Sequence, residues 1–151
     1  MLIYQFSTHS LQSSKSYETE TFSWVIASTL EIIVDYMSGR MLTVEGFYPI
    51  IQAKKRIIRF PRNVKLDYFF DQRILVGLEK NMVYSLENRF PEYKSIFTID
   101  NLYYDEKHGI IMNGIDDEDL NYYRVSSNVC VAANKEGKLR CLYIKPDQFI
   151  K

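Results

Sequence analysis

Between Glu20 and Ser38 the apolar positions Phe22, Ile26, Leu30, Ile33 and Met37 recur at intervals of three or four, the spacing of one helix face. Thr19 can cap the start of such a helix, and Gly39 followed by Arg40 can close its end. The β-branched content of this stretch works against a helix, because those side chains are stiff at χ1. A second helix is predicted over residues 67–88, where Asp71, Leu75, Leu78, Met82 and Leu86 trace one face and Pro91 ends the run.

Elsewhere the pattern alternates. Residues 2–6 read as a short strand, followed by a polar loop from Ser7 to Thr19. Residues 41–60 read as two or three strands, with a turn near Ala53–Lys55 and Pro49 marking an edge. From about residue 95 to 145 short apolar runs separated by turn residues predict a β-meander, including strands at 95–99 and 101–104. Together these elements predict an α+β fold: a mainly antiparallel sheet packed against two helices, about residues 20–38 and 67–88. A length of 151 residues, with no internal repeat, Pro/Gly linker or low-complexity run, predicts one domain spanning 1–151.

The last hairpin can be read in more detail. Asn134-Lys135-Glu136-Gly137 carries Asn at the first turn position and Gly where a left-handed residue is needed, the chemistry of a type I turn with a Gly bulge. That turn pairs Asn134 with Lys138, and an uninterrupted ladder then pairs Val131 with Cys141 and Cys130 with Leu142. Val129, Val131, Ala133, Leu139, Cys141 and Tyr143 would share one face, with the two cysteines on opposite faces.

Composition adds few constraints. Hydrophobic residues make up 46% and charged residues 25%, both ordinary for a globular chain, while aromatics reach 15% with 12 Tyr and 9 Phe. Tyr joins a large apolar ring to a polar tip and suits interfaces. The most apolar stretch, Phe22 to Met37, is broken by Ser23, Ser28, Thr29, Glu31 and Asp35, so it predicts no membrane span. The N-terminal residues lack the basic and apolar regions of a signal peptide, and two cysteines are too few for a disulfide framework; the expected location is the cytoplasm.

Charge changes the picture because it is segregated. Nineteen basic and 19 acidic residues cancel overall, so no global field collects nucleic acid or anionic membrane. Yet Lys54, Lys55, Arg56, Arg59, Arg62 and Lys65 form a run without an acid, and Asp100, Asp105, Glu106, Asp116, Asp117, Glu118 and Asp119 form one whose only base is Lys107. The two segments are either solvated loops, neighbours that neutralise each other, or contact surfaces. The acidic segment, followed by Tyr122 and Tyr123, combines steering charge with aromatic anchors and suits docking to a basic protein. The basic segment, with Phe47, Tyr48 and Phe60 nearby for stacking, suits nucleic acid or phosphate.

Catalytic patterns are weak. The acid-x-Lys signature of metal-dependent nucleases occurs at Glu92-Tyr93-Lys94, Asp105-Glu106-Lys107 and Glu136-Gly137-Lys138, and three matches in so short a chain show how little it discriminates. Counting from Asp116, the sixth position is Asn121 rather than Gly, which does not fit a calcium loop. Cys130 and Cys141 lack zinc spacing, and His9 and His108, the only candidates for imidazole acid–base chemistry, lie near opposite ends of the chain. The six glycines form no phosphate-binding loop.

The expectation is a non-enzymatic domain with no cofactor or bound metal, which binds a basic protein through Asp105, Glu106, Asp116, Asp117, Glu118, Asp119, Tyr122 and Tyr123. Inhibitors that neutralise a basic toxin or nuclease, as immunity proteins and antitoxins do, have this character. The alternative is a nucleic-acid-binding or nuclease domain using Lys54, Lys55, Arg56, Arg59, Arg62 and Lys65.

Overall fold

A computed structural model describes residues 1–14, 16–27, 29–116 and 119–151, with the backbone alone for Gln72 and Ile74. It overturns the α+β expectation: the described chain is mostly β, with two mixed seven-stranded sheets and one short α-helix. The first half supplies β1 (Leu2–Gln5), β2 (Ser10–Ser13), β3 (Thr21–Ile26), β4 (Leu30–Asp35) and β5 (Met41–Phe47). Next come β6 (Lys54–Lys55), β7 (Lys65–Leu66), β8 (Val83–Ser85) and helix α1 (Leu86–Arg89). The second half supplies β9 (Leu102–Asp105), β10 (Ile110–Gly114), β11 (Asn121–Arg124), β12 (Val129–Ala133), β13 (Leu139–Ile144) and β14 (Gln148–Ile150).

The predicted first helix is the β3–β4 hairpin, paired from Thr21↔Asp35 to Ile26↔Leu30. The cause lies in the spacing itself. Phe22, Ile26 and Leu30 are four apart, and four is an even number, so the same residues also share one face of a strand. Trp24, Ile32 and Val34 complete that inward face and are fully buried. Val25, Ile26, Ile32, Ile33 and Val34 are β-branched and favour the pleated alternative.

The predicted second helix is also absent. Its span holds a 3-10 turn at Gln72–Leu75, strand β8 and the start of α1, with Gly77 and Asn81 in left-handed conformations that interrupt any helix. Residues 95–99 likewise form no strand: a 3-10 turn covers Pro91–Ser95, and Ile96 and Phe97 fill the core. Strands near residues 2–6 and 101–104 and the final hairpin do form.

The two sheets follow one plan. Their strand orders are β14-β1-β2-β5-β4-β3-β8 and β6-β9-β10-β13-β12-β11-β7. Replacing β1–β5 by β9–β13 converts one into the other, and in each sheet both edge strands pair in parallel. The edges are exchanged: β6 follows the first half but joins the second sheet beside β9, while β14 follows the second half and joins the first sheet beside β1. Even an irregularity recurs, since the β4–β5 ladder shifts register at Leu42 and the β12–β13 ladder at Arg140. The structure therefore contains an internal repeat, which corrects the expectation of none.

That second bulge corrects the hairpin reading. The turn behaves as its chemistry predicts, with Asn134 N–H donating to Lys138 O at 3.0 Å and Gly137 at φ +81°. Ala133 then pairs with Leu139, but Arg140 is extruded, so Ala132 pairs with Cys141 and Val131 with Leu142. Past the bulge every side chain changes face. Leu142 and Ile144 turn inward, and Cys141 and Tyr143 join Cys130 and Ala132 on the outer face. The cysteines, free and buried, thus share a face. Gly114 permits the close approach: a Cβ there would lie 2.2 Å from the Arg140 carbonyl oxygen.

Inward residues of both sheets form one core. Leu2, Tyr4 and Leu11 take the positions that Leu102, Tyr104 and Ile111 take in the other sheet, and Leu30, Ile32, Val34, Met41 and Val44 correspond to Val129, Val131, Ala133, Leu139 and Leu142. A second, smaller cluster lies outside the second sheet. The chain leaves β6 at one edge, runs extended across the outer face as residues 56–64, and rejoins the sheet as β7 at the other edge. Ile58 of this strap is buried, with Phe60 and Val64 packed beside it against Met112, Cys130, Cys141 and Tyr143. Pro61 has no N–H to pair and disfavours a helical Phe60, consistent with an extended crossing. Among the described residues no helix is long and apolar enough to cross a membrane.

Candidate functional site

The strap carries the basic segment, and its first residues meet the acidic one. Arg56 N–H donates to Tyr104 O at 3.3 Å, and the Ile58 N–H donates to Asp105 Oδ2 at 2.9 Å. Asp105 is buried, and it also accepts from the His108 N–H and lies 2.7 Å from His108 Nδ1. These bonds, the Ile58 N–H first, hold the Asp105 carboxyl at about 2, well below its ordinary value, against the opposing effect of burial. Asp105 therefore fastens the strap and turns no carboxylate outward.

Two more acids of the predicted docking surface are engaged by the strap. Lys55 Nζ lies 3.4 Å from Glu106, and Arg56 Nη2 lies 3.4 Å from Asp116, which also accepts from the Tyr143 hydroxyl. Such exposed pairs are each worth about 0–1 kcal/mol, so they position the segments more than they stabilise them. Asp119 is exposed, and Asp117 and Glu118 lie outside the described residues. Tyr122 packs into the outer cluster against Tyr143, whereas Tyr123 packs into the main core against Tyr68. Among the described residues of the predicted patch, Asp105 is thus turned inward, Glu106 and Asp116 are engaged by basic side chains, and the two tyrosines enter different clusters.

Among the basic residues, Lys54 and Arg56 sit over the Tyr103 ring, Lys55 over Tyr104 and Lys65 over Tyr123. Arg59 and Arg62 are exposed and make no ion pair with a described residue. With Arg56, Phe60, Asp116 and Tyr122 they line a cleft of about 530 Å³ between the strap and the sheet. Phe47 and Tyr48 belong to the other sheet's β5 end, away from this cleft.

His9 lies in the β1–β2 turn with its ring edge-on to Phe47, and His108 lies in the β9–β10 turn of the other sheet. Glu92 and Glu136 of the acid-x-Lys matches both pair with Lys138, and Asp105 of the third is bound to the strap.

The first sheet has an outward site that sequence reading missed. Glu31 on β4 and Glu45 on β5 are directly opposite cross-strand partners. They line a groove of about 340 Å³ with Tyr17, Ser23 and Asn81. Burial, and then the Glu31 charge, raise the Glu45 carboxyl above its ordinary value. The alternation of Thr21, Ser23 and Val25 with Phe22, Trp24 and Ile26 was the available signal, because it marks one polar strand face. No protein-family model matches the chain, and no curated protein matches it.

Proposed function

We propose that this chain is a non-enzymatic protein-binding domain, an inhibitor of the immunity or antitoxin type, whose contact face is the strap cleft and the acid loop beside it. The observation that carries this reading is the side-by-side placement of the two charged segments around an aromatic cleft. Arg59 and Arg62, which form no ion pair with a described residue, line the cleft with Phe60, Tyr122 and Asp116, while the exposed Asp119 lies beside the turn at Asn134, Lys135 and Glu136. Arg and aromatic side chains are the usual anchors of protein interfaces, and charges of both signs set register and exclude wrong partners. A toxin or nuclease with a basic surface would meet the acid loop, and acidic groups at that surface's margin would meet Arg59 and Arg62. The arginines beside Phe60 also favour a second reading, single-stranded nucleic acid, but a phosphate chain laid in the cleft meets the Asp116 carboxylate.

The test is affinity capture from the source cell at low and high salt, using the native chain, an Arg59→Ala/Arg62→Ala variant and an Asp116→Asn/Asp119→Asn variant. One protein retained by the native chain and lost from both variants, with their melting temperatures unchanged, is the expected result. Nucleic acid retained by the native chain, and more strongly by the Asp variant, would replace this reading with the second. Equal recovery by all three chains would remove the cleft from either.

A further inference from the structure

The outer faces of the two sheets are equivalent in position, but among the described residues the strap crosses the second and not the first. In the second sheet Tyr122, Cys130 and Tyr143 lie beneath an extended stretch of the chain itself. The ladders place Ser23, Glu31 and Glu45 at the same three positions of the first sheet. There they line a groove, with Tyr17 on one side and Asn81 on the other.

Three features give that groove a chemistry. Like charges directly opposite on neighbouring strands repel, and neither Glu31 nor Glu45 forms an ion pair with a described residue. Ser23 is only 7% exposed, lines the groove, and its hydroxyl makes no hydrogen bond to a described residue. Its oxygen is not among the buried polar atoms that lack a partner, so it reaches the solvent of the groove and can donate to or accept from a ligand there. Finally, two carboxylates and a hydroxyl, with no group of three metal-ligating side chains among the described residues, fit an ammonium or guanidinium better than a metal ion.

We propose that this groove binds the arginine or lysine side chain of an extended segment of a partner protein, laid across the first sheet as the strap is laid across the second. The cation sits between Glu31 and Glu45 and relieves their repulsion, and the Ser23 hydroxyl hydrogen-bonds the same group or the segment's backbone in place of water. This face belongs to the sheet without the strap cleft, so the inference stands whether or not the cleft is a contact surface.

A blocked peptide alternating arginine and threonine serves as the probe, titrated into the isotopically labelled full chain and followed by amide shifts at low salt. Saturable shifts are expected in β3, β4 and β5. Affinity is expected to fall about tenfold in a Glu31→Gln/Glu45→Gln variant, the scale of one lost charge-assisted bond. Arg59→Ala/Arg62→Ala is expected to leave it unchanged. The double Gln variant removes a repulsion and remains folded, with a melting temperature at or above that of the native chain. Equal binding of a peptide with citrulline for arginine would overturn the proposal, as would shifts confined to the strap and acid loop. Magnesium or calcium giving the same shifts while the peptide gives none would show a metal site instead.

Discussion

The outer faces of the two sheets share strand order, ladder register and a bulge, yet among the described residues the strap crosses one and not the other. At matched positions Tyr122 answers Ser23, Cys130 answers Glu31, Ala132 answers Ile33, Cys141 answers Thr43 and Tyr143 answers Glu45. The second set is apolar or aromatic and needs cover from water, which Ile58, Phe60 and Val64 of the strap supply. The first set is mostly polar: Ser23, Ile33 and Thr43 are buried beside Tyr17, and Glu31 and Glu45 remain half-buried as a pair of carboxylates. A shared backbone plan therefore leaves the use of each face to a few outward side chains. One becomes core under the strap, and the other keeps a pair of carboxylates in a groove.

Exchanging a matched residue is the most direct way to break this comparison. Tyr143→Glu gives the face under the strap the carboxylate of the other one, in a site only 4% exposed. An unpaired buried charge costs about 3–5 kcal/mol, so urea unfolding is expected to show a loss of that size or a detached strap. Glu45→Tyr, the reverse exchange, is expected to remain folded. An equal loss in both variants would mean that the faces do not differ as described.

Ile58→Ala tests the strap from the other side. Removing a buried Ile side chain costs about 2–5 kcal/mol. Burial pushes the Cys141 thiol up to about 12 and raises Cys130 as well, so neither reacts readily in the native protein. Because both lie under the strap, thiol labelling is expected to be slow in the native chain and much faster in the variant. Unchanged labelling would show that the strap is not what protects them.

Acid distinguishes the halves by sign. Asp105 has a lowered folded-state value, so its contribution is present above the ordinary carboxyl range near 4 and is lost as pH falls toward about 2. Hydrogen exchange at the Ile58 amide is expected to gain protection-losing openings over that window, and Asp105→Asn is expected to abolish this pH dependence. Gln5 occupies the matched position in the first sheet and does not titrate. Glu45 has a raised value, so its neutral form favours the fold. Its contribution is present at low pH and lost as pH rises through that raised value. The smallest effect follows from it: Glu45→Gln is expected to gain about 0.2–1 kcal/mol at neutral pH by removing a like-charge pair. A loss in chemical denaturation would mean that Glu45 has a stabilising partner.

The strands that could be read from the chain are those whose pattern has one interpretation. Turn chemistry at Asn134–Gly137 located the last hairpin, and alternation located β1, β9, β10 and β11. The β3–β4 hairpin could not be distinguished from a helix on spacing alone, since Phe22, Ile26 and Leu30 satisfy both periods. Between residues 67 and 88 a helical period was present, but Gly77 and Asn81 break the backbone that would have used it. The charge segregation was legible and its consequence was not. Only the fold places Lys55 on Glu106 and Arg56 on Asp116, which turns two candidate surfaces into one.

By itself the sequence determined which residues are apolar, where turns must fall, and that basic and acidic residues are segregated. Tertiary structure decided the rest. It extruded Arg140 and so turned Cys141 outward onto the face of Cys130, paired β6 and β14 with the opposite halves, and set Glu31 against Glu45. Pattern specifies how a segment buries its own side chains, because that depends on local periodicity. Which segments become neighbours depends on ladder partners distant in sequence, and no local period encodes them.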